Sequence, residues 1–284
     1  MQLTNIRQIV PTAGGLRVKT GNVVFPRNAP KLDYAKARQR WWIQIQFNSD
    51  IDLVILEKAV KNSQIRLLEF HNTFYIEDPR IPDSAEMAQA SHLAEKLLAE
   101  LNGAARVSCQ HFQPVRFEAL IELFENGTGR GIISSGVVVH ESDSYPEIRS
   151  FLTSELTPIK AMLPVWESDT AVQEALFYVG ATGNVWANLY KACEIVQDHV
   201  GGEAKVIFQN GWCSRSAWSR FHRTANHQEA IGSFSRHARM KTIPPPDPMT
   251  AEDARSFVAA LLGGWIRSLT EAAVQSSPQA DGPG

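Results

Sequence analysis

The chain has 284 residues, of which 44% are hydrophobic and 20% are charged. Its 28 Lys and Arg against 30 Asp and Glu give a formal net charge of −2. This composition is ordinary for a globular protein and excludes a wholly disordered chain, a collagen-like repeat and a strongly basic protein that coats nucleic acid. At roughly 150 residues per domain, the length predicts about two domains.

The three cysteines, Cys109, Cys193 and Cys213, show no CxxC spacing, which argues against a disulfide framework or a zinc ribbon and favours a reducing compartment. Apolar runs such as residues 257–266 fall short of the roughly 20 residues that a membrane-spanning helix needs, and residues 1–30 lack the apolar core of a secretory signal. We therefore expect a cytoplasmic protein without membrane contact, and we expect neither a metal site nor a cofactor.

The first elements in chain order alternate between strand and helix patterns. Residues 41–47 place apolar and glutamine side chains on opposite faces, the period of two that is typical of a half-buried strand. Ser49 and Asp52 resemble a capping box in front of an apolar stripe, which predicts a helix over 50–61. The aromatic-rich run 66–76 is expected to be extended.

A longer helix and a hairpin follow. Asp83 and Glu86 can cap a second helix, whose apolar residues recur every three or four positions over 87–101, and Asn102-Gly103 supplies its predicted stop. Alternation over 115–123 and the β-rich run 131–140, joined by the turn residues 126–129, predict a β-hairpin.

The second half of the chain shows helical spacing. Helices are predicted over 169–181 and 185–200, and Thr250 with Asp253 is predicted to cap a last helix that runs to about residue 273. Trp265 continues the apolar stripe of that helix by the helical period, so we expect it to be buried.

These elements define the predicted fold class and domains. The fold class is α+β, with a mixed sheet of largely antiparallel strands and two covering helices over 1–145, followed by an all-helical domain over 146–273. The small and polar residues 274–284 are predicted to form a disordered tail.

The segment from Gly211 to Lys241, called the basic segment below, has six cationic side chains against one acidic side chain, Glu229. Guanidinium groups bind phosphate in a bidentate manner and aromatic rings stack on bases, so the segment is a candidate site for an anionic partner. In the alternative interpretation, the aromatic residues enter the core and the arginines cover acidic parts of the same protein. The candidate anion-binding residues are Arg215, Arg223, Arg236, Arg239 and Lys241, and the candidate base-stacking residues are Trp218 and Phe221.

Within the basic segment, Arg220 and His227 are separated by six residues. Over residues 150–273 the chain resembles the HEPN class of helical nucleic-acid-associated domains, some of which cleave RNA without metal through an Arg and a His at such a spacing. The resemblance implies that Arg220 and His227 form a catalytic pair that holds phosphate and transfers protons. Phe221 stands where the family often has a small polar residue after the Arg.

These observations favour an intracellular protein that binds RNA, DNA or another phosphate-bearing partner through the basic segment, with HEPN-like RNA cleavage as the more specific version. Two alternatives stay open. One is an interaction or scaffold protein without catalysis, whose Trp-rich strand and basic segment dock a protein partner. The other is an enzyme that acts on a small anionic substrate through the same arginines.

Overall fold

The structure, a computed structural model, describes residues 4–12, 15–23, 39–60, 63–70, 73–110, 112–123, 129–133, 159–181, 183–203, 205, 209–235, 243 and 245–276. The chain forms two compact units that are interleaved in sequence. We call them the sheet unit (Met1–Ser49, Val60–Lys96 and Val115–Ser144) and the helical unit (Asp50–Ala59, Leu97–Pro114 and Tyr145–Gly284). The domains predicted from the sequence are contiguous, whereas two stretches of the first half belong to the helical unit.

The first half of the chain contains seven strands and two helices in the described residues. In chain order they are β1 (Thr4–Thr12), β2 (Gly15–Val23), β3 (Trp41–Gln46), α1 (Asp50–Val60), β4 (Arg66–Phe70), β5 (Thr73–Glu77), α2 (Met87–Ser108), β6 (Arg116–Leu123) and β7 (Gly129–Ile133). Strands β1 and β2 pair with each other, and the other five form an antiparallel sheet in the order β4-β5-β3-β6-β7.

Strand β3 lies at the centre of this sheet, between β5 and β6. Ile43 pairs with Ile76 of β5 on one side and with Leu120 of β6 on the other, and all three are buried. Buried carboxylates of the sheet unit are each paired with an arginine, as charged groups in a protein interior require. The pairs are Glu122 with Arg40, Glu77 with Arg66 (2.6 Å) and Asp78 with Arg80 (2.7 Å).

The predicted first-half elements are confirmed except at two ends. Helix α2 continues to Ser108 instead of stopping at Asn102-Gly103. Gly103 serves a different purpose here, since a Cβ on it would lie 2.0 Å from the carbonyl oxygen of Leu176, so the missing side chain permits a close crossing with a neighbouring helix. Strand β7 covers Gly129–Ile133, and the rest of the predicted run to 140 lies outside the described residues.

The second half of the chain is helical where it is described, which confirms the predicted α+β class. Its helices are α3 (Ile159–Ser168), α4 (Thr170–Gly180), α5 (Val185–Val200), α6 (Arg215–Asn226), α7 (Gln228–Ile231) and α8 (Ala251–Ser276), with a short 3-10 helix at Gly232–Phe234. Helix α3 was not predicted. Helix α8 extends into the predicted tail as far as Ser276, and residues 277–284 lie outside the described part of the chain.

The ends of these helices follow capping chemistry. Asp169, Asn184 and Ser214 cap α4, α5 and α6 by accepting hydrogen bonds from N–H groups of the first turn. Gly201 ends α5 in the left-handed conformation, with φ of 81°. At α8 the predicted capping box is confirmed: the Thr250 hydroxyl accepts from the Asp253 N–H (3.0 Å), and the Asp253 carboxylate accepts from the Thr250 N–H (3.2 Å).

Helix α8 provides much of the core of the helical unit. It packs against α3, α4 and α5 through a stripe that includes Leu261, Leu262 and Trp265, and Trp265 is fully buried as predicted. Within the described residues, the stretch Ala251–Gln275 of this helix is the one that is long and apolar enough to cross a bilayer, which is weak evidence for a membrane span. In this stretch 33% of the most apolar window is buried in the structure, and the buried stripe packs against three other helices.

Candidate functional site

Helix α6 carries the three arginines of the basic segment that the structure describes and is strongly amphipathic. Trp218, Phe221 and Ala225 recur at helical spacing and are buried, whereas Arg215 and Arg223 are exposed on the opposite side. The sequence alternates bulky apolar and cationic residues because one face enters the core and the other faces water. Arg236, Arg239 and Lys241 lie outside the described residues.

The two candidate stacking residues belong to the core. Trp218 is 3% exposed and Phe221 is fully buried, and Phe221 packs against the rings of Trp186, Tyr190 and Phe257. Base stacking needs an exposed ring face, and neither ring has one. The alternative interpretation, in which these aromatics enter the core, is confirmed for both residues.

The Trp-rich strand expected to dock a partner is buried in the same way, since Trp41 is fully buried and Trp42 is 5% exposed. Neither side chain therefore presents a surface that a protein partner could contact.

Arg220 is held by acceptors of the same chain. Its Nη2 forms an ion pair with Asp247 (2.9 Å) and lies 4.0 Å from the Asp253 carboxylate, while its Nε donates to the Asp247 carbonyl (2.8 Å). Arg223 donates to the carbonyl of Ile243 (3.1 Å) and keeps an exposed side chain. Arg220 thus secures the segment before α8 to helix α6.

His227, the predicted partner of Arg220, has a structural role in the chain. It is 5% exposed and stands between α6 and α7, where its Nδ1 accepts a hydrogen bond from the Glu229 N–H (3.3 Å). A histidine that transfers protons must reach a substrate, and this ring is enclosed.

A cavity of about 270 Å³ lies elsewhere in the helical unit and was not anticipated from the sequence. It is lined by the end of α2 and the loop after it, the end of α4, the start of α5 and the start of α8, and it is open to solvent on one side. The polar residues that line it are Arg106, Gln113, Tyr178, Asn188 and Arg255, and no Asp or Glu side chain among the described residues lines it.

Arg106 is the distinctive residue of the cavity. It is 4% exposed, and its Nε and Nη2 both donate to the carbonyl oxygen of Phe112, at 3.3 and 3.0 Å. A guanidinium has five N–H donors, so this arrangement fixes the plane of the group and leaves three donors, two of them on Nη1. No carboxylate of the described chain lies within ion-pair distance of Arg106, which is unusual because buried charges are nearly always paired.

The pKa of Arg106 depends on its burial and on the charges near it, including that of Arg255, the second arginine of the cavity. Arg255 forms an ion pair with Glu252 (3.3 Å) one turn earlier on α8, and its side chain is 28% exposed. Burial is the main cause that lowers the pKa of Arg106, the charge of Arg255 lowers that pKa further, and the carboxylates of Glu252 and Asp52 oppose the shift. A bound anion would favour the charged form of Arg106 in the same way.

The helix ends around the cavity contribute smaller partial charges. Val185 and Asn188 belong to the first turn of α5, whose dipole favours anions, whereas Tyr178 and Val179 belong to the last turn of α4, whose carbonyls carry the opposite partial charge. These two contributions oppose each other, so the arginines determine the sign of the potential.

Sequence reasoning missed this cavity for an identifiable reason. Arg106 and Arg255 are far apart in the chain, and the predicted stop at Gly103 removed Arg106 from its helix. With α2 extended, Arg106 continues the buried row of Ala94, Leu98 and Asn102 at four-residue spacing. An arginine that continues the buried face of a helix is the sequence pattern that could have indicated the cavity.

Metal and thiol chemistry find little support among the described residues. No group of three His, Cys, Asp or Glu side chains is placed there to hold a metal ion. Burial raises the pKa of the fully buried Cys193 well above its ordinary value, and it raises that of Cys213 to about 11 with a smaller contribution from Glu203. Both thiols are therefore protonated and weakly nucleophilic near neutral pH.

Comparison with known proteins finds no match. No family model, no curated protein and no solved structure matches the chain. The HEPN resemblance stays an interpretation of the sequence, and the function has to be argued from the geometry above.

Proposed function

We propose that the helical unit binds a small oxyanion, a phosphate or carboxylate group, in the cavity between α2, α4, α5 and α8. The observation that carries the proposal is the buried guanidinium of Arg106, which lines a polar cavity with donors that no described residue accepts from. This function belongs to the class of phosphate-bearing or small anionic partners expected from the sequence, but it uses different arginines.

The chemistry of Arg106 matches an oxyanion. Because the Phe112 carbonyl accepts from Nε and Nη2, the edge formed by Nη1 and Nη2 stays available for two parallel hydrogen bonds to one anionic group. The planar guanidinium is already held in place, so less conformational entropy is lost when the anion binds. Arg255 supplies a second positive charge, and an anion between the two would offset their mutual repulsion.

Titration of the full-length protein with inorganic phosphate, followed by calorimetry, tests the proposal. A charge-assisted hydrogen bond is worth about 1.5–3 kcal/mol, so Arg255→Gln should weaken phosphate binding about tenfold or more. Arg106→Lys keeps the charge but loses the planar edge, and we expect a loss of similar size. Far-UV circular dichroism and a urea titration would show that each variant stays folded.

Arg267→Gln is the matched control, because Arg267 is an exposed arginine on the same helix, about 18 Å along its axis from Arg255. Its phosphate affinity should equal that of the wild type. Equal affinities for Arg255→Gln and Arg267→Gln, or an absence of phosphate binding to the wild type, would contradict the proposal.

A second candidate function, binding of a nucleic-acid backbone, is favoured by the outer face of α6. Arg215, Ser219 and Arg223 are exposed at four-residue spacing, and α6 has no acidic residue. This face would contact phosphates without stacking on bases. We propose binding rather than cleavage, because cleavage would require both Arg220 and His227 to leave the contacts described above.

Anisotropy of a labelled RNA at two salt concentrations tests the second candidate. The double substitution Arg215→Gln and Arg223→Gln should lower the affinity and reduce the salt slope by about two units, one for each phosphate contact. Arg267→Gln again serves as the control. A salt-independent signal, or a slope that the double substitution leaves unchanged, would exclude this face as a nucleic-acid surface.

A further inference from the structure

We infer that the ligand of the cavity is a small organic oxyanion, in which the anionic group is joined to a short apolar body. The inference rests on the proposed function, since it assumes that the arginines hold the anionic group. It adds the chemical class of the rest of the ligand.

The cavity combines two kinds of wall. On one wall, Arg106 at the end of α2 and Arg255 near the start of α8 contribute guanidinium groups. The other wall is apolar and is formed by Pro114, Val179, Val185 and Leu189. Ligand sites commonly pair a few polar groups that orient the ligand with an apolar lining that supplies affinity. A bare phosphate would use the first wall and leave the second in contact with water.

The volume favours a small ligand. The cavity of about 270 Å³ lies just below the range of about 300–1,000 Å³ that is typical of sites for small molecules. A phosphate group held by the arginines therefore leaves room for a short alkyl chain beside Val185 and Leu189.

A series of alkyl phosphates, measured by calorimetry on the full-length protein, tests the inference. The probes are inorganic, methyl, ethyl, butyl and octyl phosphate. Complete burial of one methylene corresponds to about a fourfold gain in affinity, and contact with a wall on one side gives about twofold per carbon. The four carbons of butyl phosphate should therefore make it bind about fifteenfold more tightly than phosphate. Octyl phosphate should gain little beyond butyl phosphate, because a cavity of about 270 Å³ suits only a small ligand.

Val185→Thr isolates the apolar wall, since it exchanges a methyl group for a hydroxyl at nearly constant volume. Val185 is half-buried in the first turn of α5, so the variant should stay folded. It should reduce the preference for butyl phosphate about threefold and leave the affinity for inorganic phosphate unchanged. Val274→Thr, at a position that is 71% exposed near the end of α8, is the matched control and should change neither affinity.

The outcomes separate the two proposals. If neither phosphate nor its esters bind, the proposed function fails and this inference fails with it. If phosphate binds in an Arg255-dependent manner but the series is flat, only this inference is overturned. An affinity that keeps rising to octyl phosphate and is unaffected by Val185→Thr would also overturn it, because such a gain comes from non-specific apolar contact.

Discussion

The crossing of α2 and α4 depends on two glycines, and substituting either of them should destabilise the protein. A Cβ on Gly103 would lie 2.0 Å from the carbonyl oxygen of Leu176, and a Cβ on Gly180 would lie 1.9 Å from that of Ala99. Ordinary contacts between such atoms are about 3.5 Å or longer, so alanine at either position forces the two helix backbones apart. Overpacking of this kind costs about 1–3 kcal/mol or more.

The expected free-energy change combines two opposing effects. Alanine favours the helix over glycine by about 1 kcal/mol, which offsets part of the overpacking. Because the clash is with backbone atoms rather than with a flexible side chain, we expect Gly103→Ala and Gly180→Ala each to lower the free energy of unfolding by about 2 kcal/mol.

Gly263→Ala is the control for helix propensity. A Cβ at Gly263 would meet a methyl group of Val107 at 3.6 Å, an ordinary van der Waals contact, so this substitution in α8 should be neutral or stabilising by up to about 1 kcal/mol. Urea titrations followed by far-UV circular dichroism would measure all three variants. Wild-type stability of Gly180→Ala, or a change of stability in the same direction for Gly180→Ala and Gly263→Ala, would show that the close helix crossing does not require glycine.

Three further predictions concern the cap of α8, a thiol and the cavity. Thr250→Ala removes half of the capping box and should lower the free energy of unfolding by about 0.5–2 kcal/mol; an unchanged urea midpoint would show that the cap contributes nothing. With its pKa raised to about 11, Cys213 has about a hundredfold less thiolate at pH 8 than a thiol of ordinary pKa, so peptide-level mass spectrometry should find slow alkylation that accelerates as the pH approaches 11. Fast alkylation at pH 8 would contradict this. Glu252→Gln releases Arg255 from its ion pair and should strengthen phosphate binding about two- to fivefold, whereas weaker binding would mean that Glu252 holds Arg255 in its binding position.

The sequence predicts elements well where local chemistry decides them. The alternation at Trp41–Gln46 and the cap at Thr250 act within a few residues, and each appears as expected. The extension of α2 was missed because Gly103 stops a helix by its local preference, whereas here the closeness of α4 requires a glycine inside the helix. That requirement comes from a residue far away in the chain.

The candidate functional site depends even more on contacts between residues that are far apart in the chain. Composition correctly indicated that the residues 211–241 are basic, but it could not tell that Trp218 and Phe221 face the core, because a helix that alternates rings and arginines is compatible with either role. The cavity forms because Arg106 and Arg255 lie close together in the folded chain, and their separation in the sequence does not predict this. The burial of Arg106 is visible only after the extent of α2 is known.

Oxyanion binding at Arg106 is tested most directly by a structure of the full-length protein determined with inorganic phosphate. We expect an oxyanion in the cavity, about 2.7–3.1 Å from Nη1 of Arg106 and within reach of Arg255. A phosphate that binds in solution but lies outside this cavity, with Arg106 unchanged and uncontacted, would contradict it.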